Sequence, residues 1–144
     1  MNLTASTTLL GGLSPAQFMR RHWQKKPLLV RQAMGDVAPP LDRAALLALA
    51  GSEDVDSRLL MRDGGHWALR HGPLPRRSLP SLKRPGWTLL VQGLDLHVDA
   101  ARALLDRFRF VPDARLDDLM VSYASDGGGV GPHFDSYDVF LLQG

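Results

Sequence analysis

Apolar residues recur at helical spacing in three stretches of the chain. Ser14-Pro15-Ala16-Gln17 is a favourable helix start, because serine can cap the first turn, proline is tolerated at the first helical position and glutamine can complete a capping box. We expect helices over residues 15–24, 43–50 and 98–108. The third helix is amphipathic, and one side of it carries Ala101, Leu104, Leu105 and Phe108.

The hydrophobic pattern changes to an alternating one after residue 56. Residues 57–62 and 66–70 flank Asp63-Gly64-Gly65 and predict a β-hairpin. The proline-rich residues 72–86 predict a loop. Further strands are expected at residues 28–30, 87–92, 116–124 and 137–143, and the tryptophans are expected to be core anchors: Trp23, Trp67 and Trp87. Few helices followed by hairpin-linked strands predict a β-rich α+β fold.

Composition narrows the class of protein without identifying it. The chain has 144 residues, of which 44% are hydrophobic and 22% charged, as in an ordinary globular domain or part of a larger one. It contains no apolar run long enough for a spanning helix, and its first residues lack the basic flank of a signal peptide. The absence of cysteine excludes disulfides, thiolate metal sites and cysteine nucleophiles. A cytoplasmic location is therefore expected.

Charge is distributed unevenly along the chain. Residues 1–90 carry 13 Lys and Arg against 6 acidic residues, whereas residues 91–144 carry 4 against 9. The stretch between Gly64 and Leu94 has no acidic residue, and its cations are Arg70, Arg76, Arg77, Lys83 and Arg84. Such a stretch can attract phosphate or an acidic partner, although a solvated basic loop is the simpler interpretation.

The segment with candidate chemistry is Gly127-Gly128-Gly129-Val130-Gly131-Pro132-His133-Phe134-Asp135. In an extended chain the side chains of His133 and Asp135 point to the same side, where an imidazole and a carboxylate can bind one divalent cation. With a second histidine they would form the facial triad of non-haem iron oxygenases, which leaves coordination positions open.

Two other interpretations of this segment are weaker. A phosphate-binding loop would require a following Lys-Ser or Lys-Thr, which is absent. His133 acting as a general base beside Asp135 would need a nucleophile, and no serine lies in a nucleophile-elbow pattern. A His-x-Asp tripeptide is common, however, so by itself it is a weak sign of a metal site.

Several motifs, in order along nearly the whole chain, give the tripeptide a context. The sequence closely resembles the bacterial JmjC/cupin-type ribosomal oxygenases, which are protein-arginine hydroxylases of large-subunit ribosomal protein sixteen. The motifs that carry the resemblance are Arg21-His22-Trp23-Gln24-Lys25-Lys26-Pro27, Val55-Asp56-Ser57-Arg58-Leu59, His71-Gly72-Pro73, Asp117-Asp118-Leu119-Met120-Val121-Ser122-Tyr123 and residues 127–144.

The resemblance implies a fold and a set of site residues. Residues 1–115 would form N-terminal helices and strands, and residues 116–144 the opening strands of a double-stranded β-helix within one JmjC/cupin domain. His133 and Asp135 match the first two ligands of Fe(II), and Ser122 matches a contact of the co-substrate 2-oxoglutarate. Tyr137 is expected either to line the pocket or to be an ordinary core aromatic residue.

The family's third metal ligand, a histidine, and its 2-oxoglutarate-binding arginine both lie downstream of the position that matches Gly144. We therefore expect a truncated domain with little activity by itself. A natural short form with a binding role, or a site completed by an upstream histidine or by a partner subunit, are the alternatives.

The function implied by the resemblance is hydroxylation of an arginine of a ribosomal protein, dependent on Fe(II) and 2-oxoglutarate. The basic loop around Arg76, Arg77, Lys83 and Arg84 is expected to lie near ribosomal RNA. Full-length relatives are expected to be homodimers. The alternative is a non-catalytic cupin-like module that binds ribosomal components, or an inactive fragment.

Overall fold

A computed structural model describes residues 2–35 and 38–143, so Gly144, the end of the predicted β-helix segment, lies outside the described residues. The helices are α1 (Pro15–Arg21), α2 (Arg43–Leu49) and α3 (Asp99–Asp106), with 3-10 turns at Thr8–Leu10, Arg76–Ser78, Leu94–Leu96 and Asp113–Arg115. The strands are β1 (Ser57–Asp63), β2 (His66–His71), β3 (Trp87–Val91) and β4 (Val121–Ala124). In the part of the chain described, no helix is long and apolar enough to cross a membrane.

Local sequence explains how the first two helices begin. The Ser14 hydroxyl accepts a hydrogen bond from the Gln17 amide at 3.2 Å, and the Ser14 amide donates to Gln17 Oε1 at 2.9 Å, which confirms the predicted capping box. Asp42 accepts from the Ala45 amide at 2.8 Å and caps α2. Helix α1 ends at Arg21, earlier than predicted, and Gln24 has a φ of 54°, which an α-helix cannot contain.

The four strands form one antiparallel sheet in the order β2-β1-β3-β4. The predicted hairpin is confirmed: Asp63 pairs with His66, and the two glycines between them have φ values of 53° and 89°. Left-handed conformations at both turn positions match the twist of the flanking strands, which is why the Gly64-Gly65 pair fits there.

The sheet buries one face more fully than the other. The core face packs against α2 and α3 around Leu59, Trp87, Leu89 and Val91, each at most 1% exposed. Side chains alternate along each strand, and the cross-strand pairs therefore define a second face. We call it the outer face, and it carries Leu60, Arg62, Trp67, Thr88, Leu90 and Ser122.

An aromatic cluster forms a second core beside the sheet. Its buried centre includes Phe18 of α1 and Phe110, with Trp23 and Phe108 packed against it. The Phe140 ring joins this cluster, with its centroid 4.7 Å from that of Phe108 and 5.8 Å from that of Phe18. The segment that follows the His-x-Asp motif is thereby attached to the N-terminal helix.

The α+β class is confirmed, but three strand predictions are wrong in whole or in part. Residues 28–30 and 137–143 are not strands, and the predicted strand at 116–124 is reduced to β4. An alternating apolar pattern becomes a strand only when a neighbouring strand supplies hydrogen bonds, and no described residue pairs with 137–143. Leu119, ahead of β4, instead bonds to the 94–96 turn: its amide donates to Asp95 Oδ1 at 2.9 Å.

The prediction that all three tryptophans are core anchors is wrong for Trp67. Trp87 is 1% exposed, and Trp23 packs against the aromatic cluster. Trp67 is 49% exposed, because it lies on the outer face of the edge strand β2. Its ring lies against Gly131, in the loop that precedes the His-x-Asp motif.

Candidate metal centre

The glycine loop, Gly127–Gly131, crosses the outer face of the sheet and leads into the His-x-Asp motif. Just ahead of the loop, two hydrogen bonds extend the pairing of β4 with β3. The Ser125 amide donates to the Trp87 carbonyl at 3.0 Å, and the Gly86 amide donates to the Asp126 carbonyl at 2.8 Å. Further along, the Thr88 hydroxyl donates to the Gly129 carbonyl at 3.3 Å. These bonds hold the loop close to the sheet.

Glycine is required in this loop by close approach as well as by backbone conformation. A Cβ atom on Gly128 would lie 2.3 Å from the Trp87 carbonyl oxygen, well inside van der Waals contact. Gly127 and Gly131 have φ values of 63° and 76°, where other residues are strained. The glycines thus let the chain turn tightly just ahead of His133, as expected from the sequence.

The structure brings His133 and Asp135 together at the end of this loop. His133 Nε2 lies 3.8 Å from Asp135 Oδ2, and both side chains are partly exposed to solvent. His133 Nδ1 lies 2.9 Å from the Gly131 carbonyl oxygen. A carbonyl oxygen only accepts, so this contact is a hydrogen bond in the tautomer that carries its proton on Nδ1. In that tautomer Nε2 carries the lone pair, 3.8 Å from the Asp135 carboxylate oxygen.

This arrangement fits a divalent cation. Metal-binding histidines usually donate their second ring N–H to a carbonyl or carboxylate, which fixes the tautomer, and His133 does so through Gly131. Bonds of about 2.1 Å at a right angle would hold the nitrogen and the oxygen about 3 Å apart, so the two side chains need to approach by less than about 1 Å. Residues 2–35 and 38–143 contain no group of three His, Cys, Asp or Glu that could hold a metal ion, so the pair supplies two ligands.

The other two predicted site residues lie in different settings. Ser122 pairs with Leu90 and is exposed on the outer face, the same face that the glycine loop crosses. Tyr137 is 64% exposed and lies in a bend, so it is not a core aromatic residue, and the two-residue period that would align it with Asp135 does not hold there. Its role as a pocket residue stays a prediction.

Three outer-face residues that the sequence did not indicate contact the glycine loop. Besides Thr88, Arg62 donates from its guanidinium to the Gly127 carbonyl at 3.4 Å. The Trp67 ring lies beneath Gly131, where an added Cβ would be 3.2 Å from Cζ2. The register of the predicted hairpin already places Arg62 opposite Trp67. The sequence does not indicate that this pair contacts a loop some 65 residues downstream.

The segment that carries this site is similar to a known protein domain. The family model described as "JmjC domain" matches residues 103–144, which include both His133 and Asp135. The ribosomal protein uL16 3-hydroxylase of Escherichia coli is 42% identical over 127 residues, which are 88% of this chain and 34% of that protein. Over most of its length, the chain is therefore similar to a ribosomal protein hydroxylase.

Further matches agree with this relationship. The probable ribosomal oxygenase of Haemophilus influenzae is 38% identical over 92% of this chain and 33% of its own length. The structure of the Escherichia coli ribosomal oxygenase YcfD superimposes with a TM-score of 0.79 at 40% identity, over 87% of this chain and 34% of that one. The same oxygenase in complex with cobalt and 2-oxoglutarate gives a TM-score of 0.80 at 38% identity. The chain thus spans about a third of the ribosomal oxygenases that it matches.

Proposed function

We propose that this chain supplies the metal-binding segment of an Fe(II)- and 2-oxoglutarate-dependent protein hydroxylase. The observation that carries the proposal is the His133 imidazole, whose Nδ1–H bonds to Gly131 and whose Nε2 faces Asp135. An imidazole and a carboxylate on one side of a cation leave its other positions open, as non-haem iron oxygenases require. Bound Fe(II) would couple oxidative decarboxylation of 2-oxoglutarate to hydroxylation of an unactivated carbon.

The residues around the pair have complementary tasks in this proposal. His133 and Asp135 hold the cation, while the Gly131 carbonyl keeps the imidazole in the metal-binding tautomer. Ser122 donates its hydroxyl proton to the 2-oxoglutarate carboxylate from the outer face, and Tyr137 lines the approach to the site. The third ligand and the arginine for 2-oxoglutarate come from outside the described residues.

The proposed substrate is a ribosomal protein, because the relatives include a uL16 3-hydroxylase. The family resemblance implies that the hydroxylated residue is an arginine. The excess of acidic residues in residues 91–144 supports a basic substrate, since a surface of opposite charge accelerates encounter. A ribosomal substrate also fits the expected cytoplasmic location. In full-length relatives the active unit is expected to be a homodimer.

The metal site can be tested with Mn(II), whose free ion has a strong paramagnetic resonance signal that is lost on binding. We expect one site per chain, with affinity reduced at least tenfold in H133A and in D135A, since each variant removes one of two protein ligands. His97→Ala is the matched control, because His97 is exposed and lies outside the motif. Equal affinity of the wild-type chain and H133A would refute the metal site.

The basic loop supports a second role, contact with ribosomal RNA. Arg76, Arg77, Lys83 and Arg84 are exposed, and among the described residues only Arg84 of these four has a carboxylate within 4.0 Å, that of Asp63 at 3.8 Å. Exposed cations are available to phosphates, and binding through them weakens steeply with salt. Arg76→Glu with Arg77→Glu should weaken binding of a ribosomal RNA fragment and flatten the salt dependence, whereas Arg102→Glu on α3 should not. Unchanged binding in the double variant would exclude this surface.

A further inference from the structure

We propose that Trp67 is a positioning residue for the metal motif: its indole ring supports Gly131, and Gly131 in turn fixes the tautomer and orientation of His133. The inference rests on the proposed function for its metal readout, but the contact and the imidazole tautomer can be tested without metal. It adds to the site a residue that lies 66 positions before His133 in the sequence.

The indole of Trp67 is in direct contact with the glycine loop. An added Cβ on Gly131 would lie 3.2 Å from Trp67 Cζ2 and 3.5 Å from Cη2, so Gly131 lies against the six-membered ring of the indole and a side chain there would be crowded. Gly131 is also the residue whose carbonyl accepts from His133 Nδ1 at 2.9 Å. One residue therefore joins the indole to the imidazole.

The ring itself is held in place. Trp67 pairs across the hairpin with Arg62, whose guanidinium carbon lies 5.8 Å from the centroid of the indole. The same guanidinium donates to the Gly127 carbonyl at 3.4 Å. Arg62 thus contacts both the ring and the start of the glycine loop, and a cation over an aromatic face restrains the orientation of the ring.

Trp67 contributes little to the packing of the fold. It belongs to neither buried cluster, and the whole of β2 is exposed. A large indole that is half exposed on an edge strand is an unfavourable choice for solubility, yet this one packs against the loop that precedes a metal ligand. Removing its ring should therefore disturb the loop much more than the sheet.

The experiment combines two readouts in Trp67→Ala, Trp67→Phe and Leu69→Ala. Leu69 is the matched control, because it lies on the same strand and face and is similarly exposed, at 55% against 49%. Long-range ¹H–¹⁵N spectra of the metal-free chain report the tautomer of His133. We expect the Nδ1–H form in the wild-type chain and in L69A, a shift towards the Nε2–H form in W67A, and an intermediate state in W67F.

The second readout is affinity for Mn(II). W67A should bind about tenfold more weakly than the wild-type chain, as is usual when a group that orients a metal ligand is removed, while L69A should bind equally well. If the wild-type chain binds no Mn(II), the proposed function fails and the tautomer still decides the inference. If W67A keeps both the tautomer and the affinity of L69A, the inference is overturned. Should W67A not fold, Trp67→Leu keeps an apolar side chain on the strand and is subject to the same two criteria.

Discussion

The centroid of the Phe140 ring lies 4.7 Å from that of the Phe108 ring, and this contact attaches the segment beyond the His-x-Asp motif to the turn that follows α3. The motif is therefore held on both sides: upstream by the outer face of the sheet, through Thr88 and Arg62, and downstream by the aromatic cluster. Between these two attachments the side chains of His133 and Asp135 are accessible from solvent, as the proposed cation site requires.

Truncation of Phe140 should loosen the downstream attachment. Truncating a fully buried phenylalanine to alanine costs about 3–5 kcal/mol. Phe140 is 36% exposed, so we expect Phe140→Ala to lower the free energy of unfolding by about 2–3 kcal/mol. Phe134→Ala is the control, since that ring is 96% exposed and should change stability by less than about 0.5 kcal/mol. Urea denaturation followed by circular dichroism would measure both; equal midpoints would contradict the packing role of Phe140.

A methyl group on Gly128 should displace the glycine loop. The added Cβ would meet three oxygens at once, those of the Trp87 and Ser125 carbonyls and the Thr88 hydroxyl, at 2.3, 2.9 and 3.0 Å. Two of these belong to the backbone and cannot rotate away, so Gly128→Ala should cost about 1–3 kcal/mol and weaken Mn(II) binding at His133. Gly35→Ala is the control, because nothing lies within 4 Å of its added Cβ. A G128A chain with wild-type stability and metal affinity would show that the loop is not held against β3.

Features that depend on residues close together in the sequence are predictable from it, whereas features that depend on contacts between distant segments are not. The hairpin is predictable because Gly64-Gly65 and the alternating strands that flank it are local signals. The proximity of His133 and Asp135 is predictable because the two residues are only two positions apart. The prediction of a strand at residues 137–143 is wrong because a strand needs a partner strand to pair with, and a pattern of apolar residues does not reveal whether one is present. Trp67 was misassigned to the core because its exposure follows from the position of β2 at the sheet edge.

The carboxylate of Asp118 should stabilise the approach to β4. Its Oδ2 accepts a hydrogen bond from the Gly93 amide at 2.6 Å. In the same turn the Leu94 amide donates to the Leu119 carbonyl, so two bonds join this turn to the residues ahead of β4. Losing a partly buried hydrogen bond to a charged group costs about 1.5–3 kcal/mol, so Asp118→Ala should lower the thermal midpoint while Asp117→Ala, at an exposed site, should not. Amide hydrogen exchange at Gly93 gives the direct measurement. Slow exchange of that amide in D118A would show that another group satisfies it.

The chain by itself should turn over little or no substrate, even with Fe(II) and 2-oxoglutarate in excess. In the described residues the proposed cation site is open to solvent and consists of two side chains, His133 and Asp135, without a third His, Asp or Glu beside them. A cation held by one imidazole and one carboxylate dissociates readily and is poorly restrained in orientation. The measurement is succinate released from 2-oxoglutarate, together with the mass increase of about 16 Da expected when one oxygen is added to a ribosomal protein substrate. H133A sets the background: wild-type release at that level is the expected result, and succinate formed in step with hydroxylated arginine, above the H133A level, would show that two ligands from this chain suffice.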